Sequence, residues 1–190
     1  MLAPITPEPA PPARSARMAE IVDVGLTLLE SEGPDALTMR RIADAMGIRA
    51  ASLYKHLPNK GALETALAEI ALREVGAAMH GALAALGPDA TGWAAVTALL
   101  GAYRTASAAH PNLYRLATSG PIDRAALTPT LEDWAGEPFL LATGDPYRGQ
   151  ALWSAAHGLV ILALDGRFPA GTDLDRTWRA LAESFGATAR

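Results

Sequence analysis

"RAASLYKHLPNK" occupies residues 49–60 and holds both lysines of the chain, Lys55 and Lys60. With Arg40, Arg41 and Arg49 just upstream, the segment 38–60 sets five basic residues against one acid, Asp44, in a chain of formal net charge −4. Thr38 suits an N-cap for "TMRRIADAMGI" (38–48), in which Met39, Ile42, Ala43 and Met46 share one helical face. Gly47 allows a sharp turn, "RAASLYKH" (49–56) reads as a second short helix, and Leu57–Pro58 stops it. Two short helices joined by a tight glycine turn, the second basic and polar, form a helix-turn-helix pattern. A helix fills a DNA major groove only if its partner holds it proud of the surface, and Ile42, Ala43, Ala45, Ile48 and Leu53 supply the small apolar contacts for that. Thr38, Arg40, Arg41, Ser52, Tyr54, Lys55 and Lys60 are able to donate to phosphates. Lys60 sits in the first turn of the next helix, a poor place for a cation on helix-dipole grounds, which a nearby phosphate would offset. On periodicity and charge alone, a solvated basic face fits this segment as well as a DNA-reading one.

Outward from this segment the whole chain reads as helical. Residues 1–13, "MLAPITPEPAPPA", form a Pro/Ala-rich arm, expected to be flexible with nothing to pack. Periodicity starts near Arg14, with Ile21, Val22, Gly25, Leu28 and Leu29 on one face, and Gly33–Pro34 ends that helix. Asn59 caps a long run to residue 86 that keeps Leu63, Leu67, Ile70 and Val75 at helical spacing. Further helices are expected at about 91–108, in "PNLYRLAT", between 123 and 142 with a break around "WAGEP", at 147–165 and at 172–186. No stretch alternates with period two. The expectation is an all-α chain of about nine helices: an arm (1–13), a helix-turn-helix domain (14–62) and a helical domain (63–190).

Composition narrows the function classes. Half the residues are hydrophobic, enough for a packed core, and alanine outweighs Val and Ile, which favours helices over sheets. There is no cysteine, so thiol and disulfide chemistry are excluded. The longest uncharged apolar stretch, 149–164, is short for a bilayer span and contains His157, so it reads as a core helix and the default compartment is the cytoplasm. G-x-S-x-G, P-loop and G-x-G-x-x-G motifs are missing, as is any cluster at metal-ligand spacing, so neither enzyme, metal nor cofactor is expected. The remaining competitor is a helical ligand-binding or interaction module without DNA function.

Gly33, Thr38, Ile42–Ala43, Gly47–Ile48, Leu53–Tyr54, Leu57–Pro58, Asn59, Lys60 and Leu63 together resemble the N-terminal pattern of the TetR family of bacterial transcriptional regulators. The resemblance covers residues 17–64 and implies DNA binding. It implies that Thr38 and Tyr54 hold phosphates and that Lys60 anchors another. Recognition would fall to Arg49, Ala50, Ala51, Ser52, Lys55 and His56, with Arg49 or Lys55 at guanine edges and Ala50 and Ala51 on thymine methyls. Simple helix propensity accounts for the two alanines equally well. The family often has Ser or Thr where this chain has Arg49, so the recognition helix is expected to lack a side-chain cap. Arg14 and Arg17 are candidates for neighbouring phosphates.

The resemblance also implies a C-terminal domain for an effector and for dimerisation. "YRGQALWSAAHGLVILALDGRFP" (147–169) is similar to the variant with a His-Gly pair, although the usual Trp before that pair is Ala156 here. Its apolar helix is either the central core helix or half of a subunit interface. Leu152, Leu159 and Leu162, with Leu174, Trp178, Leu181 and Phe185 of the last helix, are the candidate dimer contacts in a twofold four-helix bundle. A homodimer would place two reading helices about 34 Å apart on a palindromic operator. Candidate effector contacts are Trp93, Tyr103, His110, Tyr114, Trp134, Trp153 and His157, rings with a polar handle, each equally readable as an ordinary core aromatic. The few charges expected inside favour a largely apolar small molecule.

Overall fold

The computed structural model describes residues 6–87, 92–119 and 123–186. Among them are nine α-helices and no strand: α1 (Ala16–Glu32), α2 (Met39–Ala45), α3 (Ala50–Leu53), α4 (Lys60–Leu86), α5 (Gly92–Ala109), α6 (Pro111–Ser119), α7 (Leu131–Thr143), α8 (Pro146–Leu164) and α9 (Leu174–Gly186). The predicted caps Thr38 and Asn59 are in place, and Ser15 and Asp145 cap two further helices. Ser15 Oγ accepts from Met18 N–H, Thr38 Oγ1 from Arg41 N–H, Asn59 Oδ1 from Ala62 N–H and Asp145 Oδ1 from Arg148 N–H. Each such cap stabilises its helix by about 1 kcal/mol. Gly47, at φ 65°, makes the turn between α2 and α3.

The helices form two compact units, Pro9–Leu72 with His110–Leu131, and Met1–Glu8 with Arg73–Ala109 and Glu132–Arg190. The first, the head, buries Ile21, Leu29, Leu37, Ile42, Leu53, Leu57, Leu63 and Leu67 at 0–1% exposure, along with Leu113 of α6. A fully buried leucine contributes about 2 kcal/mol. Gly25 lets α1 approach α4, since a Cβ there would lie 3.2 Å from Leu63 Cδ1. The head thus takes in more than the 14–62 expected from sequence. α4 supplies its floor, and α6 is fastened to α1 because Glu30 accepts the N–H of Leu113 (2.6 Å) at the α6 N-terminus while Asn112 Nδ2 donates to Leu29 O (3.0 Å).

The second unit, the body, is built on helix contacts of α5 with α8 and α9. α8 buries Gly149, Leu152, Ala156 and Val160, a single stripe, and leaves Tyr147, Trp153 and Leu162 exposed. Glycines set the close approaches. A Cβ on Gly76 would lie 2.5 Å from the Trp134 ring, and one on Gly186 would lie 2.6 Å from Trp93 Cα.

Two expectations are corrected here. The break around "WAGEP" does not occur, and α7 runs through Pro138. Proline removes the N–H that would have bonded the carbonyl four residues back, which is that of Trp134. His80 fills the vacancy, its Nε2 lying 2.9 Å from Trp134 O. Because a carbonyl only accepts, Nε2 carries the proton. The ring also stacks on Trp134 at 4.8 Å and 19°. The arm, in turn, is not without contacts, although its residues 1–5 lie outside the described residues. Thr6 N–H donates to Glu137 (3.2 Å), Trp134 Nε1–H donates to Thr6 O (3.2 Å), and Arg73 donates to Glu8 (2.7 Å).

Candidate nucleic-acid interface

α3 is only four residues long, shorter than the expected 49–56, because His56 and Leu57 N–H both turn back onto Leu53 O (2.9 Å each). Leu53 and Leu57, both fully buried, anchor this element, and the side chains between them face outward. Tyr54 is 53% exposed, and Arg49, Ala51, Lys55 and His56 are exposed, with Ala50 and Ser52 half-buried. As expected, Arg49 at the N-cap position provides no side-chain cap. That guanidinium therefore stays directed to solvent at the start of the helix.

The charges of the segment divide into two groups. Arg41 is engaged with Glu32, its Nε donating at 3.0 Å, and this hydrogen bond lowers the Glu32 pKa from its ordinary value. Lys60 lies 3.1 Å from Glu64 one turn along α4, an exposed pair worth a few tenths of a kcal/mol. Arg40, Arg49 and Lys55 make no ion pair among the described residues and stand exposed with Tyr54. Thr38 is exposed as well, and while its Oγ1 accepts the Arg41 N–H (3.1 Å), its own proton is still available to donate. An exposed helix edged by three uncompensated cations and two hydroxyls can bind a polyanion and present side chains between its charges.

Arg14 and Arg17, the further candidates for phosphates, both have carboxylate partners. Arg17 pairs with Glu20, and Arg14 donates at 2.8 Å to Glu69, a carboxylate side chain only 4% exposed. Glu69 also accepts from the N–H and hydroxyl of Thr128 (2.6 and 2.7 Å), so it is a fully bonded buried anion that fixes the start of the head.

The seven candidate effector residues divide between the two units. His110 and Tyr114 fall in the head, where Tyr114 is buried. In the body, Tyr103 is buried edge-on to Phe139 (5.4 Å), and Trp134 is buried beneath His80. Trp153 is 44% exposed and stacks on His157 (6.0 Å), whose pKa burial pushes below its ordinary value. Trp93, half-exposed, lines a groove between α5 and α9. Of the candidate dimer contacts, Leu152 (0% exposed) and Trp178 (8%) are packed into the chain's own core and leave little area for a partner. Leu162 is exposed, and Leu159, Leu174, Leu181 and Phe185 are half-buried. His80 and Glu69 escaped the sequence reading. The legible signal for His80 was Pro138 four residues after Trp134, which predicts a carbonyl in need of a donor.

Comparison with known proteins bears on both units. The description "Bacterial regulatory proteins, tetR family" matches residues 21–71, and "Tetracyclin repressor-like, C-terminal domain" matches residues 96–185, so between them they span most of the chain. An uncharacterized HTH-type transcriptional regulator of Mycobacterium tuberculosis is 28% identical over 166 residues, which cover 83% of this chain and 74% of that one. The HTH-type transcriptional repressor KstR2 of Rhodococcus jostii is 43% identical over 58 residues, covering 30% of this chain and 28% of its own length, a likeness of one region alone. The crystal structure of the multidrug binding protein EbrR complexed with imidazole superposes with a TM-score of 0.65 at 23% identity, covering 92% of this chain and 98% of that one. At that identity the likeness is one of fold.

Proposed function

This chain belongs to the tetR family of bacterial regulatory proteins, transcriptional regulators with a DNA-binding helix-turn-helix and a ligand-binding C-terminal domain, and we propose that it acts as a homodimeric repressor. Each protomer lays Arg49–His56 into a major groove of a palindromic operator. Thr38, Arg40, Tyr54 and Lys60 hold phosphates, and Arg49, Ala50, Ala51, Ser52, Lys55 and His56 face base edges. Repression is the role named for the relative KstR2. The partner copy packs on the open face of α8, through Leu159 and Leu162, and on Leu174, Leu181 and Phe185 of α9. The C-terminal domain is the His-Gly variant, with His157–Gly158 as its pair. A small, largely apolar molecule bound in the body releases the operator. A ligand that prefers the non-binding state by about 3 kcal/mol lowers operator affinity roughly a hundredfold.

The observation that carries the reading is the group of unpaired cations, Arg40, Arg49 and Lys55, beside exposed Tyr54 on a helix-turn-helix of an acidic chain. Fluorescence anisotropy against the chain's own upstream DNA, across a salt series, tests it. Selective binding whose log K falls steeply with log salt is expected. Tyr54→Ala with Lys60→Glu is expected to weaken operator binding at least a hundredfold while leaving the helical circular dichroism unchanged. Equal affinity of wild type and double variant for the operator sinks the reading.

A further inference from the structure

Thr6 and Glu8 seat the N-terminal arm on the body. Thr6 gives both its donors to Glu137, the backbone N–H to Oε2 at 3.2 Å and the hydroxyl to Oε1. Its carbonyl accepts from Trp134 Nε1–H at 3.2 Å, and Glu8 accepts from Arg73 of α4 at 2.7 Å. Both gripping residues precede a proline, Pro7 and Pro9, which biases them toward extended backbone. The free arm is therefore already close to its seated form, and seating it costs little ordering.

The arm and what it covers differ in burial. Thr6, Pro7 and Glu8 are all exposed, so they bury little apolar area and are held by polar contacts that water replaces readily. Trp134 is 4% exposed, and its Nε1–H edge points at the arm's carbonyl. Pro138 leaves α7 without a backbone bond to the Trp134 carbonyl, and other segments place this residue. His80 meets the carbonyl and stacks on the ring, Gly76 leaves room beside the ring, and Thr6 takes the indole N–H. A weakly held strap thus lies over a buried tryptophan.

We propose that residues 6–8 form a reversible strap, which covers and uncovers Trp134 and Glu137 while the helices of the body stay folded. A seated strap occupies an indole donor and a carboxylate on one turn of α7, and a released strap presents both to solvent. Arg14, six residues beyond Glu8, is tied to Glu69, so a released strap remains tethered and seats again. The strap does not depend on operator binding, and its test uses the chain without DNA.

That test is hydrogen exchange of the full chain, followed by NMR at the four tryptophan indoles and at the backbone amides. The Trp134 indole signal is the one missing from Trp134→Phe. In the wild type it is expected to be less protected than the buried amides of α5, because release of the strap alone exposes it. Thr6→Val, which keeps the shape and removes the hydroxyl donor, is expected to quicken exchange of this indole roughly tenfold. Glu8→Gln is expected to quicken it about threefold, and the double variant roughly thirtyfold, since contacts without a shared partner add in free energy. The α5 amides are expected to keep their rates in all three variants. An unchanged indole rate in the double variant overturns the proposal, because the arm then does not cover Trp134. Equal quickening of the indole and the α5 amides overturns it as well, because the arm then opens only with the whole fold.

Discussion

The head and the body are both helical and both rich in alanine, yet they are specified in different ways. In the helix-turn-helix of the head, each element is bounded by residues adjacent to it in sequence, while α6 and Arg14 are tied on by the distant partners Glu30 and Glu69. Thr38 caps α2, Gly47 turns the chain, Asn59 caps α4, and the apolar stripes Ile21–Leu29 and Leu63–Leu67 follow helical spacing. In the body, the decisive contacts join residues far apart in the chain. His80 answers the carbonyl left open by Pro138, Gly76 makes room for the Trp134 ring, and Gly186 makes room for Trp93. Local rules therefore specify the part proposed to read DNA, and pairwise fit specifies the part assigned to a ligand. This division suits a regulator, because one head pattern can serve many bodies.

The largest expected effect probes the fit of the body. Gly76→Ala places a methyl 2.5 Å from a Trp134 ring held by His80 stacking and by the Thr6 carbonyl, and is expected to destabilise by about 3 kcal/mol in urea unfolding. Gly81→Ala, on the same helix with open space around its Cβ, serves as the reference and should be neutral or stabilising. Equal effects at the two sites would erase the contrast.

His80→Ala comes next. It leaves Trp134 O without its donor and removes the stacked ring, and should destabilise by about 2 kcal/mol by the same measurement. A loss under about 0.5 kcal/mol would mean that the Pro138 vacancy is filled in another way. Thr38→Ala probes the local rule in the head and should destabilise by about 1 kcal/mol, with amide exchange quickened in α2 and unchanged in α9.

The smallest expected effect is a pH dependence. Burial holds the folded-state pKa of His157 below its ordinary value of 6.5, so below pH 6.5 the unfolded chain binds more protons than the folded one. Stability from this residue is complete above pH 6.5 and falls as pH drops through the window between 6.5 and the lowered value. Thermal melts from pH 7.5 down to pH 5 should show a smaller loss in His157→Gln than in wild type. Parallel profiles would remove His157 from the account.

The sequence by itself determined the helical class, the caps and turns of the helix-turn-helix, and the exposure of Arg49, Tyr54 and Lys55. Those properties depend on residues within one or two helical turns, and caps, glycine turns and apolar spacing act over that range. Only the tertiary structure decided that α7 passes through Pro138, that Arg14 is tied to Glu69 rather than turned outward, and that His110–Leu131 packs with the head. It also decided that Leu152 and Trp178 belong to the chain's own core. Each of these rests on a donor meeting an acceptor, or a ring meeting a glycine, from a distant part of the chain. Helical periodicity records which face of a helix is apolar, and only packing determines which distant side chain covers that face.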